Sequence, residues 1–199
     1  MTGPPRWVTD HGADHSRWYI ERFRQMAADG VDLAGEARML DAMLAPGSRV
    51  LDAGCGPGRV GAALAARGHT VVGVDVDPEL IAAARADHPG PTWLVADLAE
   101  FDLGLDEAER FDAAVLAGNV MTFVAPHSET QVLSRVAHHV RPDGAVVVGF
   151  GLDRGYALAD FDEHAAAAGL QLEHRFATWD LRPFRAGSSF AVSVLRRPA

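Results

Sequence analysis

The sequence holds one cysteine, Cys55, so an intramolecular disulfide is impossible and no cysteine cluster can bind zinc or an iron–sulfur centre. It also lacks an excess of positive charge. The formal net charge is −9, and a surface of that sign repels a phosphate backbone, which disfavours nucleic acid as a partner. Arg182, Arg185, Arg196 and Arg197 cluster near the end and could form a local basic patch, but scattered solvated arginines are the preferred reading. Long apolar runs are missing: stretches such as Ala145 to Phe150 fall far short of the roughly 20 residues needed to span a bilayer. Met1 to Trp7 has no apolar core of the signal-peptide kind, so a cytoplasmic location is expected. Internal repeats, glycine-serine linkers and long charge blocks are absent too, which leaves one folding unit.

What is present suits one α/β core. The chain has 199 residues, 48% hydrophobic and 23% charged. That is enough for one domain of the usual size, roughly 100–150 residues, with extensions, and too little for two. From Arg49 onward, short β-branched runs alternate with alanine-rich stretches. Strands are predicted at 49–52, 70–75, 92–96, 111–117, 145–150, 170–176 and 190–196, and helices at 59–67, 78–87, 128–140 and 160–168. Pro78 suits a first helical turn, and Gly68 and Gly169 sit where helices should stop. Such alternation implies right-handed crossovers and a mainly parallel sheet covered by helices on both faces. The last two strands, with no helix between them, should pair antiparallel at an edge. Ahead of Arg49, apolar residues from Tyr19 to Met43, interrupted at Asp29-Gly30, predict two helices. Residues 1–45 thus read as a helical cap and 46–199 as the core of a single domain.

Four motifs carry chemistry. The first is Val50-Leu51-Asp52-Ala53-Gly54-Cys55-Gly56-Pro57-Gly58, a strand entering a glycine loop before a helix. Its glycines let the backbone approach a ligand closely, and the helix that follows presents unpaired N–H groups at the carboxyl edge of the sheet, where such folds bind ligands. The spacing is G-x-G-x-G, not the G-x-G-x-x-G of a dinucleotide loop. The second is Val71-Val72-Gly73-Val74-Asp75, a strand ending in a carboxylate able to accept from both hydroxyls of a ribose, with Val76 beside it and Asp77 as a helix cap before Pro78. The third is Asp97-Leu98 at the end of a strand, suited to an adenine amino group and ring. The fourth is a strand leaving through Ala117-Gly118-Asn119, small residues followed by an amide.

In this order the motifs resemble class I S-adenosylmethionine-dependent methyltransferases, and Val140 to Ala145 resembles that family's turn into its fifth strand. The resemblance implies a doubly wound seven-stranded sheet of order 3-2-1-4-5-7-6, with Phe190 to Arg196 as the antiparallel seventh strand. It further implies S-adenosyl-L-methionine as cofactor: Asp52, Ala53, Gly54, Gly56 and Gly58 at the methionine end, Asp75 and Val76 at the ribose, Asp97 and Leu98 at adenine, and Ala117, Gly118 and Asn119 beside the methionyl group. Gly118-Asn119-Val120-Met121 lacks the Asn-Pro-Pro-Tyr pattern of enzymes that methylate planar nitrogens. The expected reaction is methyl transfer to a small-molecule oxygen or nitrogen. The alternatives are a non-catalytic adenosylmethionine-binding module and an NAD-dependent oxidoreductase, the latter opposed by the loop spacing and by Asp97.

A dedicated base is optional for transfer from a sulfonium. The eligible groups are His127, His15 and Tyr19, each with an ordinary structural reading that is preferred: a loop residue, a frayed terminus and helix packing. Trp18, Tyr19, Trp179 and Arg182 are candidates for substrate contact, and Trp18, Tyr19 and Phe23 for the apolar face of a lid. His11, Asp14 and His15 have spacing reminiscent of a metal site, but Gly12 argues against a helix there and no further ligand is evident, so no metal is expected. His138 and His139 are expected to face the negative end of a helix.

Overall fold

The computed structural model describes residues 3–10 and 12–199. Seven strands form one sheet of order β3-β2-β1-β4-β5-β7-β6: β1 Arg49–Ala53, β2 Thr70–Asp75, β3 Thr92–Val95, β4 Phe111–Leu116, β5 Val140–Gly151, β6 Gln171–Phe176 and β7 Phe190–Arg196. Neighbours among β1 to β5 pair in parallel, with Leu51 opposite Val72 and Ala114, whereas β7 runs antiparallel to both β5 and β6. The predicted strand order and the antiparallel seventh strand are both present. The helices are α1 Arg6–Asp10, α2 Ala13–Ala28, α3 Gly35–Met43, α4 Arg59–Ala65, α5 Pro78–Asp87, α6 Val120–Phe123, α7 Glu129–His139 and α8 Leu158–Ala167.

The strand period of two divides the core. Leu51, Ala114, Leu116, Val146 and Val148 turn toward α6, α7 and α8, and their chain neighbours Val50, Val115 and Val147 turn toward α3 and α4. Asp77 caps α5, accepting from Glu79 N at 2.8 Å, with Pro78 in the first turn. His139 stacks on Phe101, accepts from Leu103 N through Nε2 and therefore donates through Nδ1 to Arg135 O, which satisfies a carbonyl of the last turn of α7.

The structure departs from expectation in three places. Three helices precede β1 instead of two, because the single turn α1 is held by tertiary contacts from Trp7 and not by local propensity. The single turn α6 has the same origin, packing on β5 and α1. β5 begins at Val140 and not at Ala145, since Val140 already pairs with Phe111 across a register shift. No helix among the described residues is long and apolar enough to cross a membrane.

Trp93 fixes how closely β1, β2 and α4 approach. A Cβ on Gly73 would lie 2.3 Å from its ring, one on Gly61 2.8 Å and one on Gly58 2.9 Å. Cys55, Ile81 and Ala84 close the remaining sides, and the indole N–H reaches His88 O at 2.9 Å. Trp93→Ala is expected to destabilise the fold by about 3–5 kcal/mol, the range for emptying a large buried aromatic site, as measured by urea denaturation; a loss under about 1 kcal/mol would show that the site collapses without consequence.

Candidate cofactor cleft

The carboxyl ends of β1, β2, β3 and β4 surround a cleft, partly open to solvent, at the point where the strand order reverses. Its floor is the turn from β1 into α4. Gly54 adopts φ +78°, and a Cβ there would lie 2.4 Å from Val120. Gly56 and Gly118 differ in kind: a Cβ on either would meet only Tyr19, at 3.7 Å from the ring and from the hydroxyl respectively. Their missing side chains leave a cradle beneath Tyr19. Gly58 does not line this space but faces Trp93, so its absent side chain serves packing and not a ligand. Ala53 is likewise fully buried in the core on the α6 and α7 face.

Three aspartates line the cleft. Asp52 is buried and accepts from Gly61 N at 2.8 Å, capping α4 from a neighbouring strand where its own N-cap, Gly58, has no side chain to offer. Asp75 accepts from Gly56 N at 2.8 Å and Asp77 N at 3.0 Å, so the strand-two carboxylate and the glycine loop are locked together. Asp97 accepts from Ala99 N through one oxygen at 2.8 Å, and Leu98 beside it is buried. Burial raises Asp52 to about 7 and Asp75 to about 6, in each case against the lowering effect of backbone N–H donors.

The roof comes from α1 and α2. Trp7, Tyr19 and Phe123 meet edge to face, with Trp7 5.4 Å from Tyr19 and 5.5 Å from Phe123, and Tyr19 lies 4.9 Å from Phe23. Trp7 is tied across the cleft by its indole N–H to Asp77 Oδ2 at 2.9 Å, an oxygen that also accepts from Ser16. Burial raises the Tyr19 hydroxyl above its ordinary value. Arg59, the residue after the last glycine of the loop, lines the cleft as well. It pairs with Glu36 at 2.8 Å, donates to Leu33 O at 2.8 Å and lies over Phe23.

Of the residues expected from sequence, Tyr19, Asp52, Gly54, Gly56, Asp75, Val76, Asp97, Leu98, Ala117 and Gly118 converge on this cleft. Others do not. Asn119, in a left-handed conformation, accepts from Gly151 N at 2.8 Å and braces the exits of β4 and β5. Trp179 fills the space above Gly149, where a Cβ would strike it at 2.3 Å. Arg182 is exposed and paired with Asp180. Trp18 is 53% exposed beneath Arg22, His15 stacks among Trp7, Trp18 and Tyr19 outside the cleft lining, and His127 is an exposed loop residue. His11 lies outside the described residues. Arg59, Trp7 and Phe123 were not found from sequence; for Arg59 the available signal was its place directly after the glycine loop.

The raised acids set a pH dependence with a definite sign. A carboxyl that binds its proton more tightly when folded contributes stability fully below its unfolded value, 3.8, and loses it as pH rises through about 7 for Asp52. Each unit of displacement corresponds to about 1.4 kcal/mol. Asp52→Asn keeps an acceptor for Gly61 N and removes the charge. Urea denaturation should therefore show the variant gaining on the parent from about pH 4 to about pH 7 and levelling off above that. A difference that is flat with pH would mean Asp52 titrates alike in both states.

The cradle at Gly56 and Gly118, the carboxylate of Asp75 and the free oxygen of Asp97 fit the hydroxyl and amino donors of an adenosyl ligand. A family model described as a methyltransferase domain matches residues 50–144. The solved structure of a TehB-like SAM-dependent methyltransferase from Corynebacterium glutamicum is 44% identical, with a TM-score of 0.88 over 94% of this chain and 100% of that one. An uncharacterized methyltransferase of Synechocystis sp. is 32% identical over 130 residues, covering 63% of this chain and 57% of the relative. A dTDP-3-amino-3,6-dideoxy-alpha-D-glucopyranose N,N-dimethyltransferase of Streptomyces fradiae is 34% identical over 100 residues, 50% of this chain and 38% of its own. The chain thus spans about half, or less, of the length of these curated relatives. With a like-sized relative matched over its whole length and the motifs gathered at one sheet edge, the chain belongs to the class I S-adenosylmethionine-dependent methyltransferase family.

Proposed function

We propose that the chain transfers a methyl group from S-adenosylmethionine to a small-molecule acceptor, chiefly by holding the reactants in line and keeping water out. The observation that carries this reading is the cradle itself, with Gly56 and Gly118 open beneath Tyr19 and Asp75 fixed at its side by Gly56 N. When bound, the cofactor supplies a methyl group already activated on a sulfonium. Asp75 accepts from the ribose hydroxyls, and Asp97 with Leu98 takes the adenine. Asp52, the glycine loop and the backbone of Ala117 and Gly118 surround the methionine end, with Arg59 and Tyr19 over it. The roof of Trp7, Tyr19 and Phe23 leaves room for a small acceptor, and the acidic surface supports the same choice against nucleic acid.

Calorimetric titration tests this reading. Adenosylhomocysteine should bind, NAD should not, and Asp75→Ala should weaken adenosylhomocysteine by at least about tenfold, the equivalent of about 1.4 kcal/mol from lost charge-assisted hydrogen bonds. NAD binding in preference to adenosylhomocysteine would remove the proposal.

The α1–α2 segment serves as the lid. Its bonds from Trp7 and Ser16 to Asp77 end two residues from Asp75, so a nucleoside held at Asp75 braces the anchor of the roof. Adenosylhomocysteine should therefore slow proteolytic cleavage around Gly12; unchanged cleavage by a ligand that demonstrably binds would show the segment to be a fixed cover.

A further inference from the structure

We propose that the acceptor is a neutral amine on a small apolar body, and that the cleft excludes oxyanion acceptors; this rests on the methyltransferase reading above. Relatives of similar identity do not choose between these chemistries, since a trans-aconitate 2-methyltransferase of Azoarcus sp., 34% identical over 101 residues, stands beside the amino-sugar enzyme. The lining of the cleft does choose.

An oxyanion needs a cation. The sequence contains no lysine, and among the described residues Arg59 is the arginine that lines the cleft. Both its guanidinium ends are engaged by Glu36, and one also by Leu33 O. Asp52, Asp75 and Asp97 face the same space, so a carboxylate acceptor would give up its hydration for a field of its own sign. An alcohol acceptor is helped by a base, because methylation without proton removal leaves a strongly acidic oxonium product. The Tyr19 and Cys55 protons are held more tightly than usual by burial, and neither His15 nor His127 lines the cleft. The aspartates are engaged on the floor by Gly61 N, Gly56 N, Asp77 N and Ala99 N, on the side that receives the nucleoside.

An amine needs neither partner. Its lone pair forms the N–C bond as the C–S bond breaks, with that electron pair passing to sulfur. The positive charge moves from sulfur to nitrogen, and the surplus proton then leaves to water. The cleft holds one positive charge before and after transfer. Carboxylates and the aromatic rings of Trp7, Tyr19 and Phe123 in the same lining favour that charge at both ends of the reaction.

Benzylamine, benzyl alcohol and benzoate share one apolar body and differ in the acceptor group. Each is titrated by calorimetry, at about pH 9 where the amine is partly neutral, into protein saturated with adenosylhomocysteine. Benzylamine should bind at least about tenfold more tightly than benzoate, about 1.4 kcal/mol. With S-adenosylmethionine, mass spectrometry should find methylated benzylamine alone, formed at a rate that rises along the amine's own titration. Trp7→Arg, which puts a cation in the roof in place of the indole packed near Ile20 and Leu80, should narrow or reverse the preference for amine over acid, with retained adenosylhomocysteine binding showing that the variant is folded. Benzoate binding as tightly as benzylamine, comparable methylation of the alcohol, or no amine binding to the loaded protein would overturn the proposal. Failure of adenosylhomocysteine itself to bind would instead count against the cofactor reading, and is seen in the earlier titration.

Discussion

The geometry of the cleft depends on the distance between β1, β2 and α4, and the Trp93 indole sets that distance. Gly58, Gly61 and Gly73 each yield the place of a side chain to it. The glycine loop consequently has two kinds of glycine. Gly58 turns its bare face to the core, whereas Gly56 turns its own toward Tyr19 and the cleft. A loop supported from below by a rigid ring can present its upper surface to a ligand without collapsing into the space that the glycines leave, as expected of an interior packed at crystal density.

Above that support the site carries charge at some cost to stability. Asp52 and Asp75 are buried, and burial raises both toward neutral pH, so near pH 7 they are ionised less readily than ordinary carboxyls. Backbone donors from Gly61, Gly56 and Asp77 partly offset this, and they are the donors that fix the loop relative to the two strands. An amide at position 52 would satisfy Gly61 N equally well without the charge. The carboxylates are better explained by a ligand that brings further donors and positive charge, which the unfilled acceptor capacity of Asp75 and Asp97 favours, as does the absence of an unpaired arginine in the lining among the described residues.

The sheet was legible in the sequence because strand and helix periods alternate cleanly and each helix of the core has its own punctuation, as at Asp77-Pro78 and Gly169. The cleft-lining residues at strand ends were legible because position after a strand determines which edge a side chain reaches. Residues whose role depends on distant partners were not. The bare face of Gly58 is explained by Trp93 in another strand, Asn119 is taken up by Gly151, and Trp179 by Gly149. The single turns α1 and α6 have too few residues for a periodic signal, since a helix that short exists only through its tertiary contacts. Trp7 was hidden for that reason, although it forms much of the roof.

Asp77 shows how one residue can be read correctly and still be underestimated. As a helix cap before proline it is an ordinary local feature, and Oδ1 performs that task on Glu79 N and Leu80 N. Its second oxygen receives the indole of Trp7 and the hydroxyl of Ser16. Burial opposes the charge on Asp77, but these donors outweigh it and hold the carboxyl below its ordinary value, so it remains ionised where Asp52 and Asp75 begin to protonate. Mild acidification therefore discharges Asp75 before it loosens the bonds from Trp7 and Ser16 to Asp77. The charge of the cleft floor and the anchorage of the roof thus depend on different carboxylates two residues apart, so the roof stays tied over a floor that has begun to lose its charge.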